Sequence, residues 1–198
     1  MIERNARSVS FSVGDSGLLD RLVCRLRFRK VSGMILDKTD VLDVGCGYRG
    51  ELLRSLGPRI ASGSGIDISV DDSASSSNIE LVEGDLSCGL PFSDAMFDVA
   101  VSLANIEHLE NPESVVREIF RVLRHGGVLL LTTPTKASKP VLEFLAYTLH
   151  IISEREIRDH KHYFSGDELG RICRECGFSE WSYKTFQFGI NGFLVAKK

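Results

Sequence analysis

This sequence lacks the features that would place it in a membrane, on the secretory route or on a nucleic acid. No stretch of its 198 residues approaches the ~20 consecutive apolar residues of a membrane-spanning helix. The chain opens with a polar segment at 1–5 and no apolar core follows, so we expect no secretory signal. The formal net charge is only −3, which gives no general attraction to polyanions. We therefore predict a cytoplasmic protein that has no transmembrane segment and binds no nucleic acid.

Cysteine is also scarce. The five cysteines are an odd number without the spacing of a disulfide framework, which predicts reduced thiols. Cys173 and Cys176 have the spacing of half a zinc site, but a structural zinc ion needs four ligands and the sequence has no second cysteine pair. Because the pair lies in a helical pattern, we interpret both residues as small core residues.

The length and composition are those of one globular domain. Hydrophobic residues make up 43% of the chain and charged residues 26%, as in ordinary globular proteins. We divide this single domain into an N-terminal arm and helix (1–36), a cofactor-binding core (39–134), a lid insertion (135–164) and a last helix with a hairpin (165–198).

Strands and helices alternate through most of the chain. The hydrophobic pattern predicts strands at 39–44, 64–68, 79–82, 97–103 and 128–132, separated by helices that include 49–56 and 112–123. Such alternation is typical of a parallel sheet covered on both faces. After a helix at 165–175, strands at 180–186 and 193–196 predict a hairpin that adds one antiparallel strand.

The most informative segment is the glycine-rich turn after the first predicted strand. Gly45, Gly47 and Gly50 satisfy the pattern G-x-G-x-x-G, which alone does not identify the nucleotide ligand. Asp43, two residues before the first glycine, would repel a pyrophosphate bound at such a turn. An ammonium group, such as that of S-adenosylmethionine, would instead be attracted to this carboxylate. The turn therefore favours a methyl donor over NAD.

Six motifs follow one another in an order that resembles a known family. They are V-L-D-V-G-C-G at 41–47, G-I-D-I-S at 65–69, E-G-D-L at 83–86, L-P-F to F-D-V-A at 90–100, I-E-H-L at 106–109 and L-R-H-G-G at 123–127. Together they resemble class I S-adenosylmethionine-dependent methyltransferases, in particular the small-molecule branch with the ubiquinone- and menaquinone-type enzymes. The resemblance implies an α/β, Rossmann-like three-layer sandwich. Its mostly parallel seven-stranded sheet would have one antiparallel strand from a C-terminal hairpin.

The resemblance also implies S-adenosyl-L-methionine as cofactor, S-adenosyl-L-homocysteine as product, and roles for individual residues. Asp67 would accept hydrogen bonds from the ribose hydroxyls, and Asp85 would face the adenine amino group with Leu86 beside the ring. Cys46 is interpreted as a small lining residue, because no base that could activate it is identifiable. The predicted cofactor contacts are Asp43, Gly45, Cys46, Gly47, Asp67, Ile68, Asp85, Leu86, Ser102 and Leu103.

Two departures from the family's pattern bear on the shape of the site. Residues 68–78 are short and serine-rich where the family has a full helix, so we expect that helix to be reduced to a turn or absent. Tyr48 and Arg49 stand after the glycines, where small residues are common in the family. Larger side chains at these two positions would change how closely the first helix approaches the ligand.

The acceptor side has one candidate base. Methyl transfer from a sulfonium is an in-line displacement, which needs a base only if the acceptor loses a proton. His108 follows the fourth predicted strand and should face the cleft, so we predict it to be the catalytic base and a substrate contact. Glu107 would orient a substrate or help to hold a divalent metal ion. In the plainer interpretation both are local loop and capping residues.

The loop at 159–164 holds further substrate candidates. We predict that His162 and Tyr163 form a wall near the acceptor. His160 and His162, with Asp159, suggest a metal ion, but one short loop lacks further ligands. We therefore predict no metal site.

Two predicted helices favour a hydrophobic acceptor. The segment 140–152 is mostly apolar and too short to span a bilayer, so we expect a lid over the cleft, a lipid contact or a dimer contact. The helix at 16–36 has a basic face that either is solvated or contacts an anionic surface. Its predicted apolar stripe is Leu18, Leu19, Leu22, Val23 and Leu26. These features are compatible with a monomer or a homodimer and with peripheral membrane contact.

The sequence therefore predicts methyl transfer to a small-molecule acceptor, and two alternatives stay open. An NAD-type oxidoreductase would need the turn to hold a pyrophosphate despite Asp43. A non-catalytic protein of the same fold would bind the cofactor as a regulatory subunit or not bind it. Nucleic-acid and protein acceptors are disfavoured, because Ser102-Leu103-Ala104-Asn105 stands where methylases of bases and glutamine often have Asn/Asp-Pro-Pro-Tyr/Phe.

Overall fold

The alternating pattern forms one seven-stranded sheet in the computed structural model. The structure describes residues 18–149 and 152–198, and the predicted arm at 1–15 lies outside them. The strands are β1 (Asp40–Val44), β2 (Ser62–Asp67), β3 (Ile79–Glu83), β4 (Phe97–Leu103), β5 (Leu123–Pro134), β6 (Glu180–Phe186) and β7 (Asn191–Lys197). The helices are α1 (Leu18–Ser32), α2 (Glu51–Leu56), α3 (Pro112–Val122), α4 (Lys139–Glu143), α5 (Glu154–Arg158) and α6 (Gly166–Cys176).

The strand order is β3-β2-β1-β4-β5-β7-β6. Strands β1 to β5 are parallel, whereas β7 runs antiparallel to both β5 and β6. The predicted α/β fold, with one antiparallel strand from a C-terminal hairpin, is confirmed. The order reverses between β1 and β4, so the crevice at the carboxyl ends of these strands is the expected place for a ligand.

Two hydrophobic clusters cover the two faces of the sheet. One packs α3 and α6 against strand residues such as Leu42, and the other packs α2 against residues such as Val41. Successive side chains of one strand thus enter different clusters, as the pleat requires. Cys173 and Cys176 are buried in the first cluster, which confirms their interpretation as core residues.

Strand β5 is longer than predicted, which corrects its boundary with α3. The sequence pattern predicts a helix over 112–123, followed by two glycines at 126 and 127 and a strand that begins at residue 128. The helix instead ends at Val122, and Leu123 is already extended and pairs with Phe97. The glycines lie inside the strand, where Gly126 adopts a φ of 79° that glycine tolerates without strain.

Helix α1 does not bury the stripe that the sequence predicts. Leu22 and Leu26 are 54% and 42% exposed, so the predicted packing is wrong for both. The side chains of Leu18 and Leu19 lie outside the part of the chain that the structure describes.

The face of α1 that meets the domain contains Val23, Arg27 and Val31, which are spaced by four residues. Val31 is fully buried, and Arg27 donates a hydrogen bond of 3.0 Å to the side-chain oxygen of Asn191 in β7. A buried polar contact within this face explains why apolar periodicity alone gave the wrong orientation.

The serine-rich segment between β2 and β3 contains a single 3₁₀ turn, Asp72–Ala74, which confirms the prediction of a reduced helix. The N–H of Asp71 donates to the carbonyl oxygen of Tyr48 at 2.7 Å. The segment is thereby held against the glycine-rich turn.

The apolar segment predicted at 140–152 is α4 continued by a π-helical turn at Phe144–Thr148, and residues 150 and 151 lie outside the described part. It is followed by the separate short helix α5. Among the helices that the structure describes, none combines the length and the apolar character needed to cross a bilayer.

Candidate functional site

A cavity of about 810 Å³ lies at the carboxyl ends of β1 to β4. This volume is within the range of small-molecule and cofactor sites. The predicted site residues that line it are Asp43, Gly45, Cys46, Gly47, Asp67, Ile68, Asp85, Leu86, Leu103 and His108. The structure thus brings together side chains from four separate segments at the edge where the sheet order reverses.

The glycine-rich turn presents bare backbone to this cavity. Gly45 and Gly47 have φ values of 80° and 74°, which favour glycine. The N–H of Gly45 donates to the carbonyl oxygen of Ile66 at 2.9 Å, which ties the turn to β2. A Cβ atom on Gly45 would collide with the side chain of Asn105. Both the conformation and the space therefore require glycine here.

Asp67 joins the end of β2 to the turn after β1. The N–H of Gly47 donates to Asp67 Oδ2 at 2.8 Å, and the N–H of Ile68 donates to Oδ1 at 2.7 Å. Burial raises the pKa of Asp67, and these backbone hydrogen bonds act in the opposite direction. A carboxylate can accept about four hydrogen bonds, so a hydroxyl of a ligand could still bind here.

Asp43 is a buried acid at the wall of the cavity. Burial, and then the negative charges of Asp67 and Glu51, raise the pKa of Asp43 to about 8. A cationic group placed beside it would stabilise the charged form. This part of the cavity therefore selects for positive charge and against a pyrophosphate.

These groups fit the parts of S-adenosyl-L-methionine. The bare turn and Asp43 suit its methionyl end, and Asp67 suits its ribose. Asp85 begins a short 3₁₀ turn, where it accepts a hydrogen bond of 2.8 Å from the N–H of Ser87. Leu86 follows at the cavity wall, where an apolar ring could pack.

His108 reaches the cavity from the turn after β4, as predicted. Its Nδ1 lies 3.5 Å from Asp159 Oδ2 and 3.3 Å from the carbonyl oxygen of Asp159. In the tautomer that carries its proton on Nδ1, the Nδ1–H group would donate to these acceptors and Nε2 would keep its lone pair. The contact spans 51 residues of the chain, and it anchors the loop after α5 to the end of β4.

A second cavity of about 90 Å³ shares Arg27 and His108 with the first. It is also lined by Glu107, which is fully buried and accepts a hydrogen bond of 3.0 Å from Thr133. Burial raises the pKa of Glu107. Within the described part of the chain, Glu107 Oε1 and Arg27 Nε have no hydrogen-bond partner. This small cavity therefore contains polar atoms that could bind a further polar group.

Three side chains around the small cavity have the donor types of a metal site. Ligand atoms of Glu107, His108 and His160 all lie within 4.8 Å of one another. Burial, then the positive charges of His108 and Arg27, lower the pKa of His160 to about 4, so its imidazole is neutral. Arg27, which lines the same space, opposes a second cation. Our prediction of no metal site stays a prediction.

Three predicted site residues do not line the main cavity. Ser102 is buried behind it, because neighbouring side chains of a strand point to opposite faces and Leu103 takes the cavity side. The loop at 159–164 turns His162 and Tyr163 away. The His162 ring packs on Phe164, and the Tyr163 hydroxyl lies 3.1 Å from Nδ1 of His160. Residues 159 and 161 of this loop line the main cavity instead, and the prediction that His162 and Tyr163 lie near the acceptor stays a prediction.

Sequence reasoning missed other lining residues. Asn105 Nδ2 lies 3.3 Å from the carbonyl oxygen of Val44, and Ala104 has a positive φ of 50°. A non-glycine residue in this conformation often marks a functional turn, but the sequence gives no sign of it. Arg155 and Arg158 line the cavity from α5, whereas residues 139–149 do not line it. The part of the predicted lid insertion (135–164) that lines the cavity is therefore α5 and the loop after it, and its role as a lid stays a prediction.

A family model described as a methyltransferase domain matches residues 16–183 of the chain. The chain is 30% identical over 149 residues to the ubiquinone biosynthesis O-methyltransferase of Azoarcus sp. (strain BH72). The aligned region covers 69% of this chain and 63% of that protein. It is 32% identical over 117 residues to the mitochondrial 2-methoxy-6-polyprenyl-1,4-benzoquinol methylase of Caenorhabditis elegans, with coverage of 51% and 40%. The chain thus spans less than two-thirds of the length of either relative.

Solved structures share the fold at lower identity. An S-adenosylmethionine-dependent methyltransferase from Archaeoglobus fulgidus superposes with a TM-score of 0.69 at 17% identity, over 90% of this chain and 94% of that one. The cyclase SpnF superposes with a TM-score of 0.65 at 20% identity, over 88% and 80%. Likeness at this level shows the fold alone, and the cyclase shows that the fold is not restricted to proteins named methyltransferases.

The raised pKa of Asp43 predicts a pH dependence of stability. A carboxyl whose pKa is higher in the folded state than in the unfolded state stabilises the fold at low pH. This contribution is lost between about pH 4 and pH 8. We expect Asp43→Asn to flatten the fall in unfolding free energy between pH 5 and pH 8 by at most about 1.4 kcal/mol per pH unit.

Urea unfolding at several pH values measures this effect, with the exposed Asp72→Asn as the matched control. Identical slopes for Asp43→Asn and the wild-type protein would contradict the prediction.

Proposed function

This chain belongs to the methyltransferase family, and on that premise we propose that it transfers the methyl group of S-adenosyl-L-methionine to a hydroxyl group of a small aromatic acceptor. The observation that carries the proposal is the single cavity that joins the buried Asp43 and its glycine-rich turn to His108. Asp43 and the glycine-rich turn suit a cationic methyl donor, and His108 suits an acceptor that must lose a proton.

The family names support the type of acceptor. The Azoarcus and Caenorhabditis relatives are named for ubiquinone biosynthesis and for a benzoquinol substrate. Apolar residues line the cavity of this chain beside the polar ones, as an aromatic ring would require. They are Phe28, Leu86, Leu103, Leu109 and Val115.

When bound, the cofactor supplies a methyl group already activated by its sulfonium, so the residues of this chain mainly position the reactants. The turn at Gly45 and Gly47 and the carboxylates of Asp43 and Asp67 hold the donor. His108 accepts the hydroxyl proton of the acceptor at Nε2, because Nδ1 faces Asp159. An acceptor oxygen deprotonated in this way would be the nucleophile for the methyl group that the bound cofactor would supply.

The alternatives are less well supported. A pyrophosphate at the turn would lie against the buried Asp43, so no feature of the cavity favours NAD. A non-catalytic protein of this fold would not need the contact between His108 and Asp159 at the cavity wall. The fold shared with a cyclase keeps a reaction other than methyl transfer as an outcome that an assay must test.

Replacing Asp67 tests the donor half of the site. We expect Asp67→Ala to weaken the binding of S-adenosyl-L-homocysteine by more than ~1 kcal/mol, because a half-buried, charged acceptor of hydroxyl hydrogen bonds is lost. Calorimetric titration measures the change, with the exposed Asp72→Ala as control. Unchanged affinity in Asp67→Ala would remove this residue from the cofactor site.

Replacing His108 tests the acceptor half. We expect His108→Gln to lower kcat with a phenol or quinol acceptor by about 10²- to 10⁴-fold, the usual contribution of a general base. The affinity for S-adenosyl-L-homocysteine should not change. The exposed His125→Gln is the matched control. An unaltered kcat in His108→Gln would show that the acceptor needs no base from this residue.

A further inference from the structure

The charges that line the main cavity differ between its two sides. Four acidic residues, Asp43, Glu51, Asp67 and Asp85, come from the ends of β1 to β3 and from the start of α2. Four cations line the other side, Arg27 from α1 and Arg155, Arg158 and Lys161 from α5 and the loop after it, and they outnumber the two acids there, Glu110 and Asp159. One part of the cavity is therefore suited to a cation and another to an anion.

The sheet separates these two parts. In the order β3-β2-β1-β4-β5, the acidic side lies over β1 to β3 and His108 follows β4. Neighbouring strands are about 4.8 Å apart, so the end of β3 lies roughly 14 Å from the end of β4. The loop after α5 is fixed on the β4 side, since the N–H of Lys161 donates to the carbonyl oxygen of Glu107 at 2.9 Å.

Some charges on the β4 side already have partners. Lys161 forms an ion pair of 2.7 Å with Glu110, and Asp159 faces His108. Arg158 approaches Glu154 at only 3.9 Å, and its side chain is 75% exposed. Exposed ion pairs of this kind contribute little, so an incoming anion can replace the contact at small cost.

Arg27 and Arg155 add positive charge to this side. The hydrogen bond of 3.0 Å from Arg27 goes to a neutral oxygen of Asn191, and Arg27 Nε has no hydrogen-bond partner in the part of the chain that the structure describes. Arg155 is exposed and lies one helical turn before Asp159, whose N–H donates a hydrogen bond of 3.1 Å to the carbonyl oxygen of Arg155. One turn is about 5.4 Å along the axis, so Arg155 stays close to the contact with His108.

We propose that the acceptor carries an oxyanion, a carboxylate or a phosphate, which Arg155 and Arg158 bind at the mouth of the cavity while its hydroxyl lies at His108. Two arginines three residues apart share one face of α5, and guanidinium groups bind carboxylates and phosphates through paired hydrogen bonds. The inference rests on the proposed function, because it names the class of acceptor for the same site.

Calorimetric titration in the presence of saturating S-adenosyl-L-homocysteine tests the proposal. The ligands are para-hydroxybenzoate, its neutral counterpart para-hydroxybenzamide, and para-hydroxyphenyl phosphate, so the carboxylate and phosphate arms are separate. We expect one of the two anions to bind at least about tenfold more tightly than the neutral amide, as hydrogen bonds to charged groups allow. Equal affinities for all three ligands would overturn the inference.

The variant R155A/R158A should abolish this preference while its affinity for S-adenosyl-L-homocysteine stays the same. Arg171 forms a similar exposed ion pair with Glu175 outside the cavity, so R171A is the matched control and should retain the preference. A parallel loss of S-adenosyl-L-homocysteine affinity in R155A/R158A would show that the arginines bind the cofactor. This result would overturn the inference about the acceptor but not the proposed function. If the wild-type protein did not bind S-adenosyl-L-homocysteine, the proposed function itself would fail.

Discussion

The site depends on one hydrogen bond, from the backbone N–H of Gly47 to the carboxylate of Asp67. It fastens the turn after β1 to the end of β2, and the left-handed glycines keep the backbone of that turn bare toward the cavity. Asp43 is held beneath the same turn, where burial and the charge of Asp67 keep its pKa high. The side of the cavity that we propose for the methyl donor, the donor side, is therefore built by neighbouring strands within one sheet, which makes it a rigid element of the fold.

The side of the cavity that we propose for the acceptor, the acceptor side, is formed by loops and a short helix rather than by neighbouring strands. His108 follows β4, but its partner Asp159 comes from a loop beyond β5. The carbonyl oxygen of Glu107 accepts hydrogen bonds from the N–H groups of Lys161 and His162 in the same loop. A short helix carrying Arg155 and Arg158 completes the wall. Loops positioned by a rigid sheet are where related proteins vary most. This division explains why the family shows the class of cofactor, whereas the acceptor has to be inferred from the local charges.

The donor side was predictable because its signals are local. A strand, a glycine turn and an acid at a fixed interval identify Asp43, Gly45, Gly47 and Asp67 without knowledge of the tertiary structure. The acceptor side was not, because no periodicity shows that His160 rather than His162 turns inward, or that α5 rather than the apolar segment before it lines the cavity. The predicted orientation of α1 was wrong for a similar reason, because Arg27 forms a hydrogen bond with Asn191, which is distant in sequence. Compartment, oligomeric state and membrane contact stay predictions.

Calorimetric titration of the purified protein with S-adenosyl-L-homocysteine, with NAD as the comparison ligand, tests the central claim most directly. The account predicts one-to-one binding of the thioether and no heat from NAD, because the acidic wall formed by Asp43, Glu51 and Asp67 favours an ammonium group over a pyrophosphate. Binding of NAD without binding of S-adenosyl-L-homocysteine would contradict the account and support the oxidoreductase alternative.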